Sequence, residues 1–399
     1  MSYDLICVGG GLGGAALARS LAESGARVLV LERETRFRDR VRGEYLESWG
    51  VAEAHELGLA DALAASGANP THLLDTYIGP MRVNRRDFSD PNDPCAPPLC
   101  LSHPRLQEAV LAAAAAAGAE VRRGATATEV VPGKPPSVRF RSDGGSEAAT
   151  ARLVVGADGR DSKLRGWLGF SEKRDAERLC LAGVLFEDYE GPDDTSCLLW
   201  NLASAEESLL FPQGNGVLRA YMAYRSDTGV RRFSGKERVP DFVRACHAAG
   251  VPEAWLARAR PAGPLAAFEG ADSRVDQPIR EGVALIGDAA ACSDPVWGAG
   301  MSLTFRDARV LRDALLASAD WEAAIHAYAD EHDRYYARLR TVEDWLTQMQ
   351  FELGPEADAR RQRFFAKVAV EPDRLPDLVG RGPDVDVSER ARRRYFAED

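Results

Sequence analysis

The stretch Tyr3-Asp4-Leu5-Ile6-Cys7-Val8-Gly9-Gly10-Gly11-Leu12-Gly13-Gly14-Ala15-Ala16-Leu17-Ala18 decides the fold. Its first half is an apolar run of strand length, and residues 15–22 carry apolar side chains at helical spacing. Between them lies a G-x-G-x-x-G turn, which signals a bound dinucleotide only in this strand–turn–helix setting. Gly9 permits the tight turn, Gly11 lets backbone approach a pyrophosphate, and Gly14 beside small Ala18 lets the helix lie close on the sheet. Leu12 and Gly13 open the helix, where unpaired amides favour phosphate charge. Residues 26–31 read as the second strand and end in Glu32, followed by Arg33. An acid roughly 20 residues beyond the turn suits ribose hydroxyls. It would repel the extra phosphate of NADP, so the site suits FAD or NAD.

Two later segments have the form of further contacts to the same ligand. Leu153-Val154-Val155-Gly156-Ala157 is an apolar strand ending in a small-residue turn, followed by Asp158-Gly159-Arg160-Asp161-Ser162. Leu285-Ile286 leads into Gly287-Asp288-Ala289-Ala290, a strand end that delivers Asp288 to the ribityl hydroxyls of a flavin. Residues 295–302, with Pro295, Trp297, Gly298, Gly300 and Met301, start another helix. Its free amides would face the pyrimidine carbonyl of an isoalloxazine, where negative charge accumulates on reduction.

The combination resembles the flavoprotein monooxygenases of the p-hydroxybenzoate hydroxylase type, which share GxGxxG, DGxxSxxR and GDAAxxxxPxxGxG in this order. Residues 158–165 match the second motif; Gly287, Asp288, Pro295, Gly298, Gly300 and the later Asp307 match the third. Ala291 and Ser302 depart from the His and Asn that the family often has there. The resemblance implies FAD as cofactor and NADH or NADPH as electron donor. Dioxygen would add at flavin C4a, and the hydroperoxide would transfer one oxygen atom to an apolar or aromatic small molecule by hydroxylation or epoxidation. It also implies an arginine near the flavin, for which Arg42 is the candidate against a plain surface arginine. A basic contact at the start of the helix over 104–118 is assigned to Arg105 in preference to His103 or Gln107. Ala127, at the start of a short strand, joins the cofactor contacts. The resemblance names no catalytic residue. Two other chemistries on this frame stay open, a dehydrogenase or double-bond reductase and a halogenase, besides a passive flavin-binding protein. The Asp294-Pro295 pair resembles the halogenase branch, but Trp200 lacks the partner of a WxWxIP motif and no lysine precedes Lys134.

The expected fold class is α/β: a Rossmann-like FAD-binding domain with a parallel sheet, an inserted antiparallel β-sheet substrate domain and a helical C-terminal region. The boundaries are 1–175 and 276–320 for the FAD-binding parts, 176–275 for the β-rich insertion and 321–399 for the helices. Residues 179–186, 197–202, 208–211 and 217–224 are β-prone runs between turn formers. Their alternate residues would line the substrate chamber, with Trp200, Phe211, Tyr221 and Trp297 as aromatic candidates. Asp294 reads as a turn former before proline.

A net charge of −11 across 399 residues makes nucleic acid an unsuited partner. The chain has no apolar run of membrane-spanning length, and its first residues enter a strand without a basic leader. Seven irregularly spaced cysteines without a CxxC fit reduced thiols in a cytoplasmic protein, and the scattered histidines suggest no metal site. With no second dinucleotide turn, nicotinamide would dock transiently, or a separate flavin reductase would supply the electrons.

Overall fold

The computed structural model describes residues 2–41, 43–229 and 232–399. The glycine turn sits at the carboxyl edge of an eight-stranded sheet. Its central path runs Ile279–Arg280, Val283–Leu285, Gly145–Gly156, Ser2–Val8, Val28–Glu32, Glu120–Arg123. Four of the five pairings on this path are parallel, from Val283–Leu285 through to Glu120–Arg123. Val28–Glu32, Val283–Leu285 and the second half of Gly145–Gly156 are almost wholly buried, as is most of Ser2–Val8, hence the unbroken apolar runs in the sequence. Gly145–Gly156 is long enough to serve three partners, Val283–Leu285 among them. Its first half pairs antiparallel with Ser137–Ser142, its second half parallel with Ser2–Val8. Helices Leu12–Glu23, His103–Ala116 and Gly300–Ala317 cover one face through Leu17, Leu21, Leu106, Val110, Phe305 and Leu311.

A second eight-stranded sheet follows the order Arg260–Pro261, Leu179–Glu187, Val217–Arg225, Glu206–Gly214, Thr195–Asn201, Leu73–Ile78, Met81–Asp87, with Ala266–Gly270 also on Leu179–Glu187. Two features correct the sequence expectation. Leu73–Ile78 and Met81–Asp87 belong to this sheet although they lie far upstream of residue 176, within the segment assigned to the first FAD-binding part. The join between Thr195–Asn201 and Leu73–Ile78 is parallel, so the sheet is not purely antiparallel. Met81–Asp87 escaped notice because it is an exposed edge strand, rich in arginine, with no buried face to impose alternation.

Period-two alternation sorts this sheet into two faces. Leu210, Met222 and Tyr224 point to the helix Val239–Ala249, packing with Phe186, Phe233 and Phe242. Leu198, Trp200, Leu209, Phe211 and Tyr221 point the other way, toward the first sheet.

The C-terminal region opens with one continuous helix, Trp321–Gln350. Three of its tyrosines fasten it to the rest. Tyr328 donates to the carbonyl of Leu285 at 2.8 Å, Tyr336 to that of Cys292 at 2.6 Å, and Tyr335 to the carboxylate of Asp307. Further on, the short helix Leu378–Arg381 runs directly into a 3-10 turn, Gly382–Asp384. Among the described residues no helix is long and apolar enough to cross a membrane.

Candidate cofactor and substrate cavity

The three sequence segments meet in space. A methyl added at Gly9 would lie 2.2 Å from the carbonyl oxygen of Ala157, and one at Gly13 would lie 2.9 Å from Thr304 and 3.3 Å from Ile286. Arg165 donates from Nη1 to the carbonyl of Asp288 at 3.4 Å, tying the second segment to the third. Gly14 does not face the resulting cavity. A methyl there would lie 2.0 Å from the carbonyl oxygen of Gly9, so its role is close packing of helix on turn.

One cavity of about 1220 Å³ runs from this junction to the second sheet. Of the expected cofactor contacts, Gly9, Gly11, Leu12, Gly13, Glu32, Arg33, Ala127, Asp158, Gly287, Asp288, Pro295, Gly298, Gly300 and Met301 line it, as do Trp200, Phe211, Tyr221 and Trp297. Arg42 lies outside the described residues. Arg105 is a correction: it is exposed and does not reach the cavity, whereas His103 and Gln107 do. Residues 103 and 107 share a helix face, and 105 is on the opposite side. The preference for a guanidinium overrode helical phase. His103 is held by its Nδ1 against the carbonyl of Gly43 at 2.9 Å.

The lining fits FAD on five counts. Helix Leu12–Glu23 has no side-chain cap and no acid in its first turn, so its amides open onto the cavity through Gly11, Leu12 and Gly13. Helix Gly300–Ala317 is uncapped in the same way where Gly300 and Met301 line the cavity. Asp158 accepts the amide of Lys163 at 2.7 Å through Oδ2, while its buried Oδ1 has no partner among the described residues. A methyl at Gly159 or Gly300 would meet no protein atom within 4 Å, so the space there is open to a ligand. Glu32 is buried and accepts the amides of Gly10 at 2.7 Å and Glu34 at 2.8 Å. A carboxylate has about four lone-pair sites, which leaves capacity for ribose hydroxyls. Glu32→Ala is expected to weaken FAD binding about tenfold to a hundredfold, the scale of charge-assisted hydrogen bonds. Titration of the apoprotein with FAD, followed by flavin fluorescence, checks this; an unchanged affinity would remove Glu32 from the cofactor contacts.

On the sheet side the cavity wall is apolar and aromatic. Phe211 stacks on Tyr45 with ring centroids 4.4 Å apart and meets Tyr221 edge-on at 6.1 Å. Behind them Tyr221 donates to Glu44, and Arg219 holds Glu44 at 3.2 Å and Asp39 at 2.7 Å. Sequence reading missed Glu44, Tyr45 and Glu207, because an acid in a β-prone run looks like a solvent position. It also missed the far wall, where Leu346, Gln350, Phe364, Phe365 and Leu378 of the C-terminal region close the cavity. Asp294 accepts the amide of Val296 at 3.0 Å and does not line the cavity, in keeping with a turn former. Burial pushes its carboxyl up to about 6.

A family model described as "FAD binding domain" matches residues 2–345. The chain is 27% identical over 333 residues to squalene monooxygenase SE2 of Panax ginseng, covering 79% of this chain and 58% of that protein. It is 28% identical over 370 residues to the rifampicin monooxygenase of Streptomyces venezuelae, covering 90% and 74%. The chain thus spans little more than half the length of the ginseng protein. Among solved structures, p-nitrophenol 4-monooxygenase from Pseudomonas putida superposes with a TM-score of 0.79 at 18% identity, covering 97% of this chain and 100% of that one. At that identity the likeness is one of fold.

Proposed function

The chain belongs to the FAD binding domain family, and from that premise we propose that it is an FAD-dependent monooxygenase acting on an apolar or aromatic small molecule. The observation that carries this reading is the single continuous cavity. At about 1220 Å³ it exceeds the roughly 300–1,000 Å³ usual for one small-molecule site, so it has room for cofactor and substrate together. Residues 1–175 and 276–320 hold the FAD, the β-rich insertion 176–275 with residues 73–87 covers the substrate, and 321–399 closes the far side.

Bound FAD, reduced by NADH or NADPH, supplies the activation of O2 and the transfer of one oxygen atom. The amides that open Leu12–Glu23 hold its pyrophosphate, Glu32 its ribose, and Asp158 and Asp288 its polar linker. The amides that open Gly300–Ala317 stabilise negative charge on the pyrimidine side of the ring. Leu198, Leu209, Phe211 and Tyr221 orient the substrate and exclude water. No second dinucleotide turn competes for nicotinamide, so reduction occurs by transient docking or through a separate flavin reductase. The protein works in the cytoplasm with its seven cysteines as thiols.

The test uses FAD-loaded protein, NADH or NADPH, and a panel of small aromatic compounds under 18O2. Support is a yellow colour bleached faster in the presence of one compound, with a single 18O atom in its product. Turnover of the compound at an equal rate without oxygen would assign the site to a reductase instead.

A further inference from the structure

On the substrate side of the cavity the buried carboxyl of Glu207 faces no cation among the described residues. Trp200 and Glu207 are directly opposed across the strands Thr195–Asn201 and Glu206–Gly214, next to the opposed pair Leu198 and Leu209. All four line the cavity. Trp200 donates from Nε1 to Glu207 Oε1 at 2.7 Å, and Glu207 is only 3% exposed. Its other oxygen, Oε2, makes no hydrogen bond or ion pair among the described residues. The neighbouring acids differ. Asp75 faces Arg85 at 2.7 Å, Glu206 faces Arg232, and Glu44 faces Arg219 at 3.2 Å. Tyr221 is spent on Glu44, and Gln350 is the polar lining residue from the long helix. The sheet neutralises these three acids with arginine and leaves Glu207 to something that enters the cavity.

Resting on the monooxygenase reading, we propose that Glu207, positioned by Trp200, recognises an uncharged oxygen acceptor, a ketone or hydroxyl oxygen, on an otherwise apolar substrate. The indole N–H can only donate, so Oε1 must accept and a proton on the carboxyl resides on Oε2. Burial pushes this carboxyl up to about 8, opposed only by the Trp200 hydrogen bond, so at neutral pH the group is mainly the acid. A neutral O–H aimed into an apolar chamber is left unsatisfied until an acceptor arrives. A site built around such a donor discriminates strongly against analogues that lack the acceptor. A cationic amine would need the ionised carboxylate, which burial opposes.

Two isosteric probes separate these chemistries: 2-acetylnaphthalene, and 2-isopropenylnaphthalene, which has CH2 where the ketone has oxygen. Binding to the FAD-loaded full chain is read by perturbation of the flavin absorbance and by tryptophan fluorescence, neither of which needs turnover. The wild-type protein is expected to bind the ketone at least about tenfold tighter than the alkene. That preference should fade as pH rises through about 8, where Oε2 loses its proton. Glu207→Gln can still accept from Trp200 and donate from Nε2, so it keeps the preference and loses the pH dependence. Glu207→Leu abolishes the preference, bringing the ketone to the level of the alkene. Failure of the ketone to bind, equal binding of the two probes, or a preference that survives Glu207→Leu would overturn the proposal. So would tight binding of 2-naphthylmethylamine that Glu207→Gln abolishes. If Glu207→Leu does not fold, the wild-type pH profile against that of Glu207→Gln decides alone. A ketone preference without 18O incorporation into any compound would leave Glu207 in place and remove the monooxygenase reading.

Discussion

Gly9→Ala yields a protein that purifies without yellow colour and melts well below the parent. At Gly9 φ is +109°, a conformation that L side chains rarely adopt, and the new methyl would stand 2.2 Å from the carbonyl oxygen and 2.6 Å from the carbonyl carbon of Ala157. Neither partner can retreat. The Gly9 amide donates to Leu31 at 2.9 Å and the Ala157 amide to Val8 at 2.8 Å, so the turn is clamped between neighbouring parallel strands. Backbone strain and overpacking together cost on the order of 4 kcal/mol. Gly25→Ala is the control. Gly25 also has positive φ, +89°, but a methyl there meets nothing within 4 Å, so only the strain of about 1–2 kcal/mol applies. Thermal melts and the flavin absorbance of purified protein decide. Equal melts for the two variants, both yellow, would show that the Ala157 contact yields.

The same contact explains why the cofactor side was legible in the sequence. Where backbone must pass within van der Waals distance of backbone, only glycine serves, and the requirement is written as residue type at fixed spacing. Gly9 and Gly14 carry it, and Asp158 adds a turn-closing carboxylate whose Oδ2 accepts the amide of Lys163. The substrate side is set by packing, which many residues satisfy, so its signals are weak. Met81–Asp87 joins the second sheet through an exposed, arginine-rich edge that reads like a loop. Phe364, Phe365 and Leu378 reach the cavity from helices whose apolar faces look like ordinary core. Glu207 is informative only beside Trp200, a pairing that depends on strand register. Arg105 failed for a different reason. Its chemistry suited a phosphate, but the helix turns His103 and Gln107 to the cavity in its place.

Asp307→Ala separates the scaffold of the third segment from its contacts. Asp307 is fully buried and does not line the cavity, yet its Oδ2 accepts the amide of Gly287 at 2.6 Å, the residue that delivers Asp288. Its Oδ1 accepts the hydroxyl of Tyr335, so one carboxylate fixes both the turn and the long helix Trp321–Gln350. Burial drives its proton affinity up, while His332, Tyr335 and the Gly287 amide hold it down. Removing the carboxylate strands two buried donors at about 1–3 kcal/mol each, for a total loss of about 3–4 kcal/mol. Asp307→Asn keeps the shape, but its amide nitrogen must face one of the two donors, so about half that loss is expected. Tyr335→Phe leaves the Gly287 amide satisfied and should cost about 1 kcal/mol with FAD affinity intact. FAD affinity should fall more than tenfold in the alanine variant, because the freed amide lets the turn carrying Asp288 relax. Urea unfolding and FAD titration on the three variants give the two orders independently. If Asp307→Ala loses stability but holds FAD as tightly as the parent, the position of Asp288 is fixed by Arg165 and the strand end alone.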